Sequence, residues 1–281
     1  MNTHHTTAAE TTLIYEVTSN GVARITLNRP EVRNAFDSQL ILNLTAAFNH
    51  ADQSSEVKVI LLSSSGDHFS AGADLNWMKS MANASYDENL ADARQLEKLM
   101  STINQCCKPV VTKVRGSVFG GGIGLLSCSD IVIAENESRF ALSEVKLGLS
   151  PATIAPFVID AIGARPARRL FLTGEVFNAE KALSLGLISE IVDPDSINEV
   201  TNNIISMLLK NAPNALTQSK RLISKVSNSV KGQALTDYTC ELIAALRVSE
   251  EGQEGLTAFL EKRSPVWPEQ TNNDTPPSKA D

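Results

Sequence analysis

The chain has little of several features that would by themselves define a class of protein. Its four cysteines match neither a disulfide framework nor a zinc-binding spacing, so we expect reduced thiols and no metal site. No apolar run approaches the roughly 18 residues that a membrane span needs. The start, MNTHHTTAAETT, has neither the basic nor the apolar region of a signal peptide. These absences predict a cytoplasmic protein that does not enter a membrane.

Positive charge is also scarce. Lysine and arginine number 25 against 32 aspartates and glutamates, which gives a formal net charge of −7. No overall basic field therefore draws in nucleic acid or an anionic membrane. The remaining composition, 42% hydrophobic and 20% charged over 281 residues, is ordinary for one large core with an appendage.

Strand-like and helix-like segments alternate through the first half of the chain. An Asn20-Gly21 turn between two apolar runs predicts a β-hairpin. The motif Ser85-x-x-Glu88 predicts a capping box at the start of a helix over 85–105, and an amphipathic stretch around 36–48 predicts another helix. Together these patterns indicate an α/β core. The predicted strands are Leu13–Val17, Val22–Leu27, Val57–Leu62, Val110–Val114 and Ile131–Ala134.

After about residue 160 the pattern becomes helical. We expect a flexible tail at 1–11, a catalytic core at 12–200, a helical oligomerisation region at 201–263 and a second flexible tail at 264–281. The apolar faces of the last helices would need partners, which neighbouring subunits often supply. The predicted helices are Arg165–Leu172, Ala179–Leu185, Ile197–Leu209, Ala215–Val226 and Leu235–Leu246.

Two glycine-containing segments follow predicted strands. His68–Leu75 could form a turn whose backbone N–H groups bind an oxyanion, or a tight connection without chemistry. Arg115–Gly124 contains three consecutive glycines that could bring backbone close to a ligand. It lacks the Lys-Ser/Thr of a P-loop and the acid that a dinucleotide-binding loop needs. A developing enolate oxygen, held by one N–H group from each segment, is the third possibility.

A third segment, Phe140–Pro151, carries one acid, Glu144, among small and apolar residues. Apolar surroundings would raise the pKa of this carboxyl group toward the range that suits general acid–base catalysis. The alternative is an ordinary surface glutamate on an edge strand.

Taken together, these segments resemble the crotonase (enoyl-CoA hydratase/isomerase) superfamily. The resemblance covers roughly residues 12–263 and implies an α/β fold: a right-handed, crotonase-like spiral of ββα units with a helical C-terminal trimerisation region. It also implies a homotrimer or a dimer of trimers. The matching segments are LNRPEVRNAF, HFSAGADL, RGSVFGGGIG, SEVKLGLSP, LTGEVFNAEKALSLGLISEIV and EGLTAFLEKR.

The resemblance assigns residues to an acyl-CoA site. The N–H groups of Ala71 and Gly121 would hold the thioester oxygen, and Glu144 would act as acid and base. Coenzyme A would be part of the substrate, and no separate cofactor is expected. Phe259 and Lys262 would meet the CoA of a neighbouring subunit. The remaining residues implied to contact substrate or CoA are Arg33, Ser70, Gly72, Ala73, Asp74, Leu75, Gly120 and Lys146.

One position departs from the pattern of many enoyl-CoA hydratases, which use a second glutamate where this chain has Gly124. Glu144 alone must then handle water and proton. Segments around Trp77, Leu90 and Phe140 resemble bacterial methylglutaconyl-CoA hydratases, which implies hydration of 3-methylglutaconyl-CoA to the 3-hydroxy-3-methylglutaryl thioester. Lys146, on the same face as Glu144 if the backbone is extended, or Arg115 could bind the distal carboxylate of such a substrate.

Other functions remain open at this point. The resemblance extends to carboxygeranoyl-CoA and isohexenylglutaconyl-CoA hydratases and to general enoyl-CoA hydratases. A Δ3,Δ2-enoyl-CoA isomerase suits a single glutamate equally well. Outside catalysis, an RNA-binding or inactive member of the superfamily is the alternative, and the negative net charge argues against RNA.

Overall fold

The computed structural model describes residues 12–268 and begins with the predicted hairpin. Strands β1 (Leu13–Val17) and β2 (Val22–Leu27) pair antiparallel, with Leu13 opposite Leu27. The turn places Gly21 at φ +87°, a conformation that L side chains rarely adopt, and a Cβ there would lie 2.9 Å from the Glu56 carbonyl oxygen. The hairpin prediction is confirmed.

Seven further strands follow within the described residues and divide between two sheets. The larger sheet has the order β1-β2-β3-β4-β6-β9 and is parallel from β2 onward. The smaller sheet has the order β5-β7-β8. The strands are β3 (Val59–Ser64), β4 (Val110–Val114), β5 (Ser117–Phe119), β6 (Ile131–Glu135), β7 (Arg139–Ala141), β8 (Val176–Asn178) and β9 (Glu190–Val192).

Eleven α-helices lie within the described part of the chain. The predicted helices are present, with ends shifted by a few residues. The apolar stretches that become α5 and α11 were not predicted as helices. The bounds are α1 (Ser38–Gln53), α2 (Leu75–Asn83), α3 (Tyr86–Asn104), α4 (Gly121–Ser127), α5 (Ala155–Ile162), α6 (Ala164–Thr173), α7 (Ala179–Ser184), α8 (Ile197–Lys210), α9 (Pro213–Ser227), α10 (Gln233–Val248) and α11 (Glu250–Leu260).

The two sheets are linked by a repeated path of the chain. Strand β4 of the larger sheet is followed by β5 of the smaller sheet and then by helix α4. The same order recurs in β6 of the larger sheet, β7 of the smaller sheet and helix α5. Earlier in the chain, single β-bridges take the place of the short strand. Ser70 pairs with Val118, and Phe36 pairs with Ala73. These bridges continue the smaller sheet, so successive passes stack as repeated ββα units. The repeat brings the segments after β3, β4 and β7 side by side.

The larger sheet is buried on both faces, as the continuous apolar run through β3 predicted. One face packs against the main core, which includes the buried side chains of α1 and α3. The other face is covered by α8 through Ile197 and Ile205. The predicted boundary at 200/201 falls inside α8, whose buried Ile197 and Ile205 pack on this sheet.

The last helices are exposed over much of their surface. Helix α10 has no buried residue, and its predicted apolar stripe, from Leu235 to Leu246, is half-buried. The predicted C-terminal tail begins with contacts to the body, since Trp267 Nε1 donates to the Lys210 carbonyl oxygen at 2.8 Å. Residues 1–11 and 269–281 of the predicted tails lie outside the described residues. Over 12–268, no helix is long and apolar enough to cross a membrane.

Candidate active site

The segments after β3 and β4 are joined by backbone hydrogen bonds. Ser70 N donates to Ser117 O at 3.0 Å, and Phe119 N donates to Ser70 O at 2.9 Å. Gly120 N then donates to Ala141 O at 3.0 Å, which ties the glycine segment to β7 just before Glu144. The three chemistry-bearing segments of the sequence therefore meet at one place.

Glycine is required where these segments approach each other beside Glu144. Gly120 has φ +52°, and a Cβ there would lie 3.3 Å from Glu144 Oε1 and 3.8 Å from the Cα of Gly72. Gly72 has φ +95° and lies against the backbone of Phe119. A side chain at either position would strain the backbone, and one at Gly120 would crowd the carboxylate. The two turns and Glu144 thus line a common cleft.

The donor predicted from the first turn is wrong. The Ala71 N–H group already donates to the Arg33 carbonyl oxygen at 2.9 Å, so it faces the neighbouring loop. Ala73, two residues on, is oriented differently. In its bridge with Phe36, the bonds run from Phe36 N to Gly72 O and from Asp74 N to Phe36 O. A parallel bridge of this kind directs the N–H of Ala73 away from Phe36, which makes it the available donor of this turn.

The second predicted donor, the Gly121 N–H group, stays a prediction, and the structure shows where it lies. Gly121 is the first residue of α4, directly after the left-handed Gly120, and the N–H groups of a first helical turn have no acceptor within their helix. A Cβ on Gly121 would lie 3.5 Å from the Phe36 ring. Phe36 therefore contacts Gly121 and bridges to Ala73, and so lies between the two donor segments.

Glu144 combines partial burial with a carboxylate oxygen, Oε2, that has no hydrogen-bond partner among the described residues. It begins a short 3-10 helix, Glu144–Leu147, and is half-buried. Its Oε2 atom is buried and accepts no hydrogen bond from the described residues. Burial raises the pKa of this carboxyl group, and its own backbone N–H offsets the rise only in part. Such a carboxylate is a stronger base than a solvated glutamate.

The space beside Gly124 is filled by apolar side chains. A Cβ there would lie 2.6 Å from Ile154 Cγ2 and 2.9 Å from Met100 Sδ, and both side chains are buried. The chain therefore lacks room, as well as the residue, for a second carboxylate at this position. Glu144 is left as the acid beside the two turns.

Several predicted binding residues are oriented differently from the expectation. Ser70 is fully buried, and its hydroxyl oxygen accepts from Gly72 N at 3.3 Å. Asp74 is buried, and its carboxylate binds Arg29 and the start of α2. Ser70 and Asp74 therefore stabilise the turn through hydrogen bonds within the protein. Leu75 and Arg33 are exposed, and contacts of either with CoA stay predictions.

Lys146 and Arg115 were the two cations considered for a distal carboxylate of the substrate, and Lys146 was expected beside Glu144. Lys146 does not share a face with Glu144, because the 3-10 helix turns successive side chains by about a third of a revolution. Its Cε lies close to Gly174, and the residue is exposed. Arg115 pairs with Glu135 at 3.0 Å. Lys146 therefore does not lie beside the Glu144 carboxylate as the extended-strand prediction required, and binding of a distal carboxylate by Arg115 stays a prediction.

Phe259 and Lys262 lie at the exposed end of α11, the last helix of the described residues. Phe259 is 81% exposed, and Lys262 has the left-handed φ of 58° just after α11. A contact with the CoA of a neighbouring subunit stays a prediction for both. Among residues 12–268, no three His, Cys, Asp or Glu side chains cluster as metal ligands.

Sequence reasoning missed the loop that supports the first turn. Asn34 is fully buried; its Nδ2 donates to the carbonyl oxygens of Ser65 and His68, and its Oδ1 accepts from Arg29 N. Arg29 reaches Asp74, 45 positions further along the chain. The segment was matched to the family as a landmark, but its polar residues around Pro30 read equally well as a solvated loop, so no supporting role was predicted for them.

Comparison with known proteins agrees with this geometry. Residues 17–270 match the family model described as enoyl-CoA hydratase/isomerase. A crystal structure of an enoyl-CoA hydratase from Shewanella pealeana superposes with a TM-score of 0.88 at 45% identity, over 91% of this chain and 96% of that one. These matches confirm the crotonase-like α/β fold.

Two curated relatives differ in the reaction that their names describe. The trans-2-decenoyl-[acyl-carrier-protein] isomerase of Streptococcus mutans is 32% identical over 91% of this chain and 97% of its own length. The 2,3-dehydroadipyl-CoA hydratase of Escherichia coli is 31% identical over 87% of this chain and 94% of its own. Similarity of this degree is thus compatible with either hydration or isomerisation.

Proposed function

Because the chain belongs to the enoyl-CoA hydratase/isomerase family, we propose that it adds water across the double bond of a 2-enoyl-CoA thioester. The observation that carries this proposal is the half-buried Glu144 carboxylate, whose Oε1 lies 3.3 Å from the Cβ position of Gly120, next to the donor turns. The fold, the family and the acyl-CoA class of substrate support it.

In this mechanism the N–H groups of Ala73 and Gly121 bind the thioester oxygen. They stabilise the negative charge that develops there as the enolate forms, and each such donor is typically worth about 10²–10³ in rate. Glu144 takes a proton from water as the oxygen of that water bonds to C3. The same carboxyl group then returns the proton to C2, which completes the addition of H and OH. One residue can serve both steps, because its raised pKa lets it hold the proton in between.

We propose 3-methylglutaconyl-CoA as the substrate, which would place the enzyme in leucine catabolism. The support is the resemblance of the segments around Trp77, Leu90 and Phe140 to methylglutaconyl-CoA hydratases. A relative whose name specifies a dicarboxylic acyl group, 2,3-dehydroadipyl-CoA, is compatible with an acidic acyl chain. A homotrimer or dimer of trimers, a cytoplasmic location and the absence of any cofactor besides substrate CoA complete the proposal.

The second candidate is a Δ3,Δ2-enoyl-CoA isomerase. Ile154 and Met100 occupy the space beside Gly124, so this position has no room for a second carboxylate and Glu144 would act alone. One carboxylate can remove a proton from C2 of a 3-enoyl thioester and return it to C4, which moves the double bond into conjugation. A relative whose name describes an isomerase supports this reading.

The ultraviolet absorbance of the conjugated enoyl thioester distinguishes these candidates. Purified enzyme is mixed in turn with 3-methylglutaconyl-CoA, crotonyl-CoA and a 3-enoyl-CoA, beside Glu144→Ala and, as a matched control at an exposed glutamate, Glu137→Ala. Rapid loss of absorbance with 3-methylglutaconyl-CoA alone, abolished in Glu144→Ala only, is the expected result. Growth of absorbance from the 3-enoyl-CoA, with the other substrates unchanged, would assign the isomerase. Near-full turnover by Glu144→Ala would refute both mechanisms.

A further inference from the structure

Arg29 joins three segments around the first donor turn. Its Nη2 lies 3.1 Å from Asp74 Oδ2, and its Nη1 lies 2.9 Å from Asp37 Oδ2 and donates to the Ala35 carbonyl oxygen at 2.7 Å. The planar guanidinium can make these contacts together because its donors point in fixed directions. A lysine ammonium would offer the charge without that geometry.

These contacts flank the bridge that orients Ala73. Phe36 N donates to Gly72 O at 2.7 Å, and Asp74 N donates to Phe36 O at 2.8 Å. Arg29 binds the residue before Phe36 and the residue after Ala73, so it holds both sides of the bridge. A shift of either side would rotate the peptide group whose N–H faces the cleft.

The pair of Arg29 and Asp74 is shielded from solvent. Their side chains are 16% and 9% exposed. Burial alone would raise the pKa of Asp74, but hydrogen bonds from Asn76 N, Trp77 N and Arg29 lower it below its ordinary value. Asp74 Oδ1 accepts both backbone N–H groups at the start of α2, which leaves Oδ2 for Arg29. The carboxylate therefore links Arg29 and α2 to the residue that follows the donor.

We propose that Arg29 and Asp74 are positioning residues of the acyl-thioester site, which act by aiming the Ala73 N–H at the substrate carbonyl. This inference rests on the proposed function, since it concerns the same oxyanion-binding turn. In this proposal the ion pair of Arg29 and Asp74 affects the rate of the chemical step, although neither side chain touches the substrate.

The test compares two carboxylates that bind the same guanidinium. Asp74→Asn and Arg29→Lys disturb the link to the donor turn. Asp37→Asn removes the other ion pair of Arg29, which leads to the start of α1 and not to the turn. Asparagine caps a helix about as well as aspartate, so both helices keep their caps and the two variants differ mainly in which ion pair is lost.

We expect kcat to fall about tenfold or more in Asp74→Asn and Arg29→Lys, with KM within about threefold, because a donor displaced by a fraction of an ångström loses mainly transition-state stabilisation. In Asp37→Asn, kcat should stay within about twofold. A second readout is the infrared carbonyl stretch of bound butyryl-CoA, isotope-labelled at its thioester carbonyl. Its downshift on binding should shrink in the first two variants and persist in Asp37→Asn.

Each outcome bears on the inference separately from the proposed function. If wild type turns over enoyl-CoA but the three variants match each other in kcat and carbonyl shift, the positioning inference is wrong and the function stands. If all three variants lose kcat equally and also melt at a lower temperature, the ion pair of Arg29 and Asp74 has a purely structural role. If wild type polarises the labelled carbonyl but hydrates and isomerises nothing, the proposed function fails. Loss of the shift in Asp74→Asn would then still support positioning. A wild type that does neither would refute both.

Discussion

Glu144 shows how one residue acquires its chemistry from burial. Its carboxylate is held at the edge of an apolar core with an unbonded Oε2, and the ionised form is disfavoured there because it has lost water without gaining a cation. The same feature that raises the basicity of this group also costs stability. We therefore expect substitution of Glu144 to change both the reaction rate and the stability of the folded protein.

Glu144→Gln should remove most of the activity and at the same time raise the melting temperature near neutral pH. Because burial raises the pKa of Glu144 in the folded protein above its unfolded value, ionisation as pH rises favours the unfolded state. The neutral amide avoids that penalty. Thermal melts from pH 4 to pH 8 should show the gain growing with pH, and Glu137→Gln should show none. A variant that melts earlier than wild type at pH 8 would contradict the argument.

Gly124 and Ile154 should be coupled in stability. A methyl group at Gly124 would meet Ile154 Cγ2, so Gly124→Ala is expected to cost about 1–3 kcal/mol by overpacking. Ile154→Ala should cost roughly 2–5 kcal/mol by leaving a cavity. In the double variant the new methyl occupies part of that cavity, so the combined loss should be smaller than the sum. Urea denaturation of the four proteins measures this, and strict additivity would show that the two residues do not share the space.

Gly232 offers a control for these measurements. Its φ of 177° is extended backbone that any residue adopts, and a Cβ there would meet no atom within 4 Å. Gly232→Ala should therefore lower the unfolding free energy by no more than about 1 kcal/mol, the cost of alanine at the N-cap of α10. A larger loss would indicate that glycine substitutions in this protein act through something other than local contact.

At the scale of elements, α3 illustrates how local sequence signals set a boundary. Ser85 Oγ accepts from Glu88 N, and the Glu88 carboxylate accepts from Ser85 N at 2.7 Å, which forms the complete capping box that the sequence predicted. These bonds satisfy N–H groups that have no partner within the helix. The helix then carries Met100 to the buried contact beside Gly124.

Ser85→Ala should lower the unfolding free energy by about 1 kcal/mol, because it removes the acceptor for Glu88 N. Ser219 is a matched control in the interior of α9, where its hydroxyl donates to the Ala215 carbonyl oxygen. Ser219→Ala should be neutral or slightly stabilising, since alanine favours helix. Chemical denaturation followed by circular dichroism distinguishes the two. Equal effects would mean that the capping box adds nothing to stability.

At the scale of the whole molecule, the C-terminal helices present apolar side chains that residues 12–268 of the same chain leave exposed. Leu256, Phe259 and Leu260 on α11 are 51%, 81% and 78% exposed and recur at helical spacing on one stripe. Exposed stripes of this kind mark contacts with other chains. The proposed trimer would bury them and bring Lys262 toward a neighbouring site.

Leu260→Asp should therefore reduce the oligomer and the activity together, because a charge in an apolar interface is not paired. Sedimentation velocity measures the first and the enoyl-thioester assay the second. Leu42→Asp, at a 49% exposed leucine of α1, should leave the assembly intact. If Leu260→Asp leaves the assembly unchanged, the stripe on α11 is not part of the interface.

The sequence alone determined the elements whose signals are local. The Asn-Gly hairpin, the capping box of α3 and the apolar run of β3 each depend on residues within a few positions, and the structure has all three. The convergence of glycine turns and Glu144 was expected from the family resemblance, and the fold confirms that these segments meet.

Only the tertiary structure decided which groups face the cleft. That Ala73 and not Ala71 offers its N–H follows from backbone pairing with Phe36 and with Arg33, residues more than 30 positions away. The apolar side chains beside Gly124 likewise come from distant segments, since Met100 and Ile154 lie more than 20 positions away on either side. The direction of a hydrogen bond is set by what packs around the peptide, and that information is not local to the chain.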